Sequence, residues 1–136
     1  MRKIILLLLS IFILSVAAFA QQADGAKPAR VGHFQIAETE TGKFHYVLRS
    51  SNGQEILKGY QFGSDQKARE AMEKVKLAAV DETNFDPRNE KEQWYFFLKG
   101  VDGKAIGRSE NYATEAAMRR GIESVKKTAP GANPKN

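Results

Sequence analysis

The chain of 136 residues contains no cysteine. That absence excludes disulfides, a thiol nucleophile, thiolate metal sites and a lipid on a processed N-terminal cysteine. Histidine is scarce as well: His33 and His45 are the two present, and their spacing matches no metal-ligand motif such as HxxxH. No glycine-rich loop suited to cradling phosphate occurs, and no serine is framed by glycines in the manner of a nucleophile elbow. Charge of one sign does not dominate. The 21 basic and 16 acidic residues leave a net charge of +5, too mild by itself to indicate a nucleic acid or an anionic surface as partner.

What the chain does have is a repeat. Phe44 to Lys76 aligns without a gap on Trp94 to Lys126, at a constant shift of 50 residues. Identical pairs include Leu48/Leu98, Gly53/Gly103, Ile56/Ile106, Arg69/Arg119, Glu73/Glu123 and Val75/Val125, and matched pairs include Phe44/Trp94, Arg49/Lys99, Phe62/Tyr112 and Ser64/Thr114. A fixed period reports a duplicated supersecondary unit, here a hairpin followed by a helix. Turns, core positions and caps are repeated; no catalytic set is.

The N-terminus reads as a bacterial Sec-type secretory signal over residues 1–20. Arg2 and Lys3 form the positive region, Ile4 to Val16 the apolar run, and Ala18-Phe19-Ala20 the small-residue site with cleavage after Ala20. The apolar run is short for a membrane span, which needs about 20 residues. The expected address is therefore the periplasm or the medium, with no stable membrane span after cleavage. Residues 21–32 are small, polar and Pro/Gly-bearing, and read as a flexible tether. Residues 33–130 read as one domain, built from repeat one (33–79) and repeat two (84–128), and 131–136 as a disordered tail.

Within the repeats, alternation predicts a short strand at His33–Ala37 and a longer one at Lys43–Ser50. The following turn admits two registers. Asn52-Gly53 as a two-residue turn would pair Leu48 with Leu57, but the second copy would then set Leu98 against Gly107. A three-residue loop, Ser51-Asn52-Gly53, with left-handed glycine as a bulge, pairs Leu48 with Ile56 and Leu98 with Ile106, and is preferred. One sheet face then carries Phe44, Tyr46, Leu48, Ile56, Trp94, Phe96, Leu98 and Ile106. Ser64 and Thr114 read as N-caps, each followed by an acid, and Ala68, Ala71, Met72, Val75 and Met118, Gly121, Ile122, Val125 form matching stripes at helical spacing. Thr114 standing where Ser64 stands argues for a cap and against a nucleophile. Val80–Glu92 is polar, with Phe85 as the partner for Phe34. Pro87 confines any strand there to an edge, or makes it short. A frayed strand at this place would leave its neighbour open to strand addition.

The segments Trp94–Gly107, Ser109–Tyr112 and Gly121–Pro130 resemble the YegP-like domain, a family of bacterial proteins of uncharacterised function. The helix end Gly121-Ile122-Glu123-Ser124-Val125-Lys126-Lys127-Thr128-Ala129-Pro130 is the most specific part, and Ala71–Lys76 matches it more loosely. The resemblance implies an α+β fold: two tandem β-β-β-α repeats forming one antiparallel sheet, with two helices packed on one face. It supplies no catalytic residues, cofactor or metal, and none is expected.

The sheet face opposite the helices exceeds what a scaffold requires. His45, Arg49, Tyr95, Phe97 and Lys99 fall there by alternation, mixing aromatics with basic groups as several binding sheets do. The plain alternative is that such residues are good sheet formers. The leading functional expectation is a non-catalytic binding module using this face. Its partner would be a protein, a peptide or a polysaccharide of the cell envelope; export disfavours nucleic acid. The runner-up is a structural or stress-related protein whose open face or strand edge mediates homodimerisation. A hydrolase built on the loop acids Glu38, Glu40, Asp81, Glu82 and Asp86 ranks last.

Overall fold

The computed structural model describes residues 31–135; the expected signal, and the expected tether up to residue 30, lie outside the described residues. Repeat one supplies β1 (His33–Glu38), β2 (Phe44–Arg49), β3 (Glu55–Lys58) and α1 (Asp65–Ala78). Repeat two supplies β4 (Phe85–Glu90), β5 (Gln93–Lys99), β6 (Ala105–Arg108) and α2 (Glu115–Thr128), and a last strand, β7 (Asn133–Pro134), follows. The sheet order is β4-β5-β6-β3-β2-β1-β7. Each repeat is thus a three-stranded meander, and the two join through their third strands. Both helices lie on one face: α1 packs on β1, β2, β5 and β6, and α2 on β3 and β5.

The helices form where capping and apolar spacing coincide. The Ser64 hydroxyl accepts from the Lys67 N–H at 3.2 Å, and that of Thr114 from the Ala117 N–H at 3.1 Å. Asp65 and Glu115 lie in the first turns, where they favour the positive end of the dipole and pair with Arg69 and Arg119 one turn on. The inner faces bury Met72, Val75, Met118, Ile122 and Val125 against Phe34, Tyr46, Leu48, Phe96 and Leu98 in one continuous core. Each large side chain removed from water there stabilises by about 1.5–3 kcal/mol.

The hairpin register corrects the preferred reading. The turns are three-residue loops with left-handed Gly53 (φ +87°) and Gly103 (φ +78°), as expected. Arg49 pairs with Glu55, but a bulge then shifts the ladder by one, so that Leu48 pairs with Leu57 and Leu98 with Gly107. The extra residue lets two neighbours on one strand face inward, and Ile56 and Leu57 are both buried. Gly107 opposite Leu98, the ground for rejecting this register, is required. A Cβ there would lie 2.7 Å from Tyr46 Oη and 2.9 Å from Leu57 Cγ. Tyr46 reaches across from repeat one to fill that space, and its hydroxyl donates to the Ile106 carbonyl at 2.5 Å.

Two further expectations change. The sheet is mixed, because β7 runs parallel to β1, pairing Asn133 with His33 and Pro134 with Phe34. The segment read as a disordered tail from residue 131 instead supplies this strand, with the Lys135 N–H donating to the Phe34 carbonyl at 2.9 Å. The strand before Trp94 forms fully as β4, paired from Phe85 to Glu90, and Pro87 sits on the sheet edge. Its hairpin closes through Lys91 and Glu92, both left-handed (φ 51° and 63°), where Asn-Gly would be less strained.

The two helices show how the copies diverged together. A Cβ on Gly121 would collide with the Tyr112 ring, 2.7 Å from its Cζ, and the Tyr112 hydroxyl is buried without a hydrogen-bond partner among the described residues. Repeat one has Phe62 and Ala71 at the equivalent places: no hydroxyl, and a Cβ in its stead. Gly121→Ala is expected to destabilise by about 1–3 kcal/mol through overpacking. Tyr112→Phe should cost less than about 1 kcal/mol, because the hydroxyl makes no bond. The double variant, which copies repeat one, should recover most of the loss in urea unfolding; additive effects would contradict this packing.

Candidate functional site

With Tyr46, Leu48, Phe96 and Leu98 turned to the helices, alternation turns His45, Val47, Arg49, Tyr95, Phe97 and Lys99 to the uncovered face. The register adds neighbours that sequence reasoning missed. Asp86 pairs with Phe97 and Arg88 with Tyr95 on β4; Arg108 of β6 pairs with Phe97, and Lys58 of β3 pairs with both Val47 and Arg108. A ladder without the bulge sends Lys58 and Arg108 to the helix side, so alternation alone does not find them. A one-residue shift exchanges the faces of every residue beyond it. The available signal was a cation at the same place in both copies, after a pair of apolar residues in the first.

The five expected residues share the face but form two groups. Tyr95, Phe97 and Lys99 lie on β5, His45 and Arg49 on β2, and β6 and β3 run between them. Three strand spacings separate the groups, about 14 Å. Tyr95 and Phe97 meet edge to face at 5.5 Å. The Arg108 guanidinium lies over Tyr95, 4.1 Å from the ring centre, and that of Arg88 over Phe97 at 5.8 Å. Arg88 is also paired with Asp86 at 2.7 Å, and the Tyr95 hydroxyl donates to Glu90 at 3.2 Å. The result is a cation–aromatic ladder that occupies the ring faces with the chain's own guanidinium groups. Arg49 donates to the Gln35 side chain at 3.0 Å and to the Gly53 carbonyl at 3.2 Å.

Where the repeats meet, a groove of about 440 Å³ opens on this face, lined among others by His45, Glu55, Lys58, Tyr60, Arg108 and Glu110. Burial and the nearby Lys58 ammonium hold the His45 imidazole below its usual titration range, with Glu55 opposing. Ser109, beside Arg108, is buried; its hydroxyl accepts from the Phe96 N–H at 2.9 Å and donates to the Glu110 carbonyl at 2.8 Å.

The loop acids do not converge. Asp81 caps a short 3-10 turn through Thr83, which lowers its pKa. Asp86 is held low chiefly by its hydrogen bond from Arg88, and Glu82 faces Lys126 at 3.6 Å. Among the described residues no group of three or more His, Asp or Glu side chains is placed to hold a metal ion. None of the described helices is long and apolar enough to cross a membrane.

The β4 edge of the sheet is blunted. Phe96 turns its backbone to β6, with its N–H on the Ser109 hydroxyl and its carbonyl accepting from the Ser109 N–H. Pro87 opposite it therefore aims its missing donor outward. Phe85, also outward by alternation, donates to Glu82. Of the three outward positions on β4, Asn89 alone retains an N–H without a partner among the described residues. At the other end β7 covers the start of β1.

The profile of a domain of unknown function (DUF1508) matches residues 40–86 and again 89–135. The UPF0339 protein YegP of Yersinia pestis is 33% identical over 98 residues, 71% of this chain and 88% of that protein. A UPF0339 protein encoded in the ptx operon 5′ region of Stutzerimonas stutzeri is 33% identical over 102 residues, 74% and 92% of the two chains. The solution structure of YegP from E. coli, described as a protein of unknown function, superposes with a TM-score of 0.73 at 26% identity, over 80% of this chain and 95% of that one. A UPF0339 protein of Shewanella oneidensis gives 0.72 at 27% identity, over 76% and 89%.

The groove makes a prediction about His45. Its NMR titration midpoint should fall below about 6.5, rise toward that value in Lys58→Met, and fall further in Glu55→Gln. Because the native state takes up this proton less readily than the unfolded chain, His45 should lower stability as pH drops from about 6.5 through the native midpoint. A midpoint above the ordinary value would contradict the geometry.

Proposed function

This chain belongs to the UPF0339 (YegP-like) family, whose repeat is a domain of unknown function, and we propose that it is a non-catalytic binding module acting outside the cytoplasm through the uncovered face of its sheet. One observation carries the reading. A whole sheet face is left free by both helices, and it bears a ladder of Arg88, Phe97, Tyr95 and Arg108 continued by Lys58, Arg49 and Lys99. Cross-strand stabilisation alone would be served by neutral pairs. Arginine and tyrosine on a rigid surface are the side chains that anchor partners most often.

Since guanidinium groups cover the ring faces, recognition here rests on cations presented at fixed places more than on stacking. The partner would be a protein, peptide or polysaccharide of the cell envelope with acidic groups. The export reading is supported by Arg2 and Lys3, the apolar run and Ala18-Phe19-Ala20. The blunted β4 edge favours the face over strand addition there. A second copy of the chain would register as concentration-dependent mass in light scattering.

The test is affinity capture from envelope and culture fractions, comparing the mature chain with a Tyr95→Ala, Phe97→Ala, Lys99→Ala variant of matched circular dichroism. The native chain should retain a partner that the variant holds at least about tenfold less well. Equal capture by both would return these residues to sheet stabilisation.

A further inference from the structure

The strands of the two repeats are in register at one pair, Lys58 with Arg108. These positions are also equivalents of each other, 50 residues apart. The internal two-fold relation therefore brings both cations side by side at the middle of the open face, on strands about 5 Å apart. Like charges directly opposite on a sheet oppose its stability, yet both copies keep one. Arg49 and Lys99 are a second pair of equivalent cations, on β2 and β5 and so not side by side.

The two centre cations are presented, not neutralised. Arg108 is oriented by the Tyr95 ring beneath it and by N–H groups donated to the Ser109 carbonyl at 3.2 Å and to Asn111 Oδ1 at 3.0 Å. A guanidinium has five N–H donors, and the others of Arg108 have no hydrogen-bond partner among the described residues. Lys58 is exposed and takes part in none of the ion pairs among the described residues. Of the acids of the groove, Glu110 accepts from the Gln54 amide at 2.6 Å, and Glu55, opposite Arg49 in the ladder, forms none of the ion pairs among the described residues.

We propose that Lys58 and Arg108 form a site for a doubly charged tetrahedral oxyanion, a phosphate or the phosphate of a monoester; this rests on the open-face reading above. A planar fork and a compact point charge side by side suit a phosphate, whose oxygens can accept from both. A single carboxylate would compensate one of the two charges. The groove beside the pair, about 440 Å³, has room for the group the phosphate is attached to.

The test is an amide NMR titration of the mature chain with inorganic phosphate, glycerol 3-phosphate and, at equal ionic strength, acetate. Both phosphates should give saturable shifts at Lys58, Arg108 and His45, with acetate at least about tenfold weaker. Tighter binding of the ester would assign the site to an esterified phosphate, and equal binding to the free ion. Lys58→Met, at an exposed position, and Arg108→Met should each weaken binding about tenfold or more. Lys127→Met, on α2, should not. Absent or unsaturable shifts, equal acetate binding, or unchanged affinity in Lys58→Met would overturn the site. Envelope capture retained by Lys58→Met without any phosphate response would sink this inference and leave the open-face reading standing. Loss of capture differences in the Tyr95, Phe97, Lys99 variant would sink that reading instead.

Discussion

Tyr46 is the contact on which the junction of the two repeats depends. Their strands share one register pair, so the backbone ladder cannot carry the seam, and buried side chains must. Tyr46 belongs to repeat one, is fully buried, and donates its hydroxyl to the Ile106 carbonyl of repeat two. Its place dictates others. Gly107 must lack a side chain beneath its hydroxyl, and Gly59 must lack one beside its ring. Repeat two has Phe96 where repeat one has Tyr46, and there the equivalents of those glycines are Leu57 and Ser109. The exchange of Leu57 for Gly107 thus follows from the room the Tyr46 hydroxyl takes, and Gly59 from the place of its ring. The other large departure, Tyr112 with Gly121 against Phe62 with Ala71, obeys the same exchange of a hydroxyl for a Cβ.

The seam also generates the candidate site. Joining two meanders through their third strands, with both helices on one side, leaves a broad face with its two-fold centre exposed. Whatever both copies carry at the centre is doubled there, and both carry a cation. The edges offer less: Pro87 and the Phe85–Glu82 bond leave β4 with a single outward donor, and β7 lies along β1. The fold alone does not imply an activity, and the solved relatives are themselves described as of unknown function or by family name. The functional argument therefore stands on this face and its charges.

Much of the fold was legible in the residues. The 50-residue shift set the architecture, Ser64 and Thr114 marked the helix starts, and Gly53 and Gly103 marked left-handed turn positions, because each rests on local chemistry that both copies repeat. What was not legible depended on contacts distant in sequence. The one-residue shift between Leu48 and Arg49 recurs between Leu98 and Lys99, and what tells against it in the residues, Gly107 opposite Leu98, is answered only by Tyr46, distant in the chain, filling the space above that glycine. Missing the bulge sent Lys58 and Arg108 to the wrong face, so the candidate site was read as two flanks without its centre. The pairing of Asn133 and Pro134 with β1 was hidden for the same reason: a polar, proline-bearing tail has no strand pattern of its own.

Native-state hydrogen exchange on the chain and on its Tyr46→Phe variant tests the role of the seam most directly. If one hydroxyl locks the repeats into a single cooperative unit, the slowest amides of β2 and β5 share one opening free energy. Tyr46→Phe should then lower both together, by about 1–3 kcal/mol, since it strips the Ile106 carbonyl of its donor. Protection that falls in one repeat while the other keeps its own, or no change in either, would contradict the account.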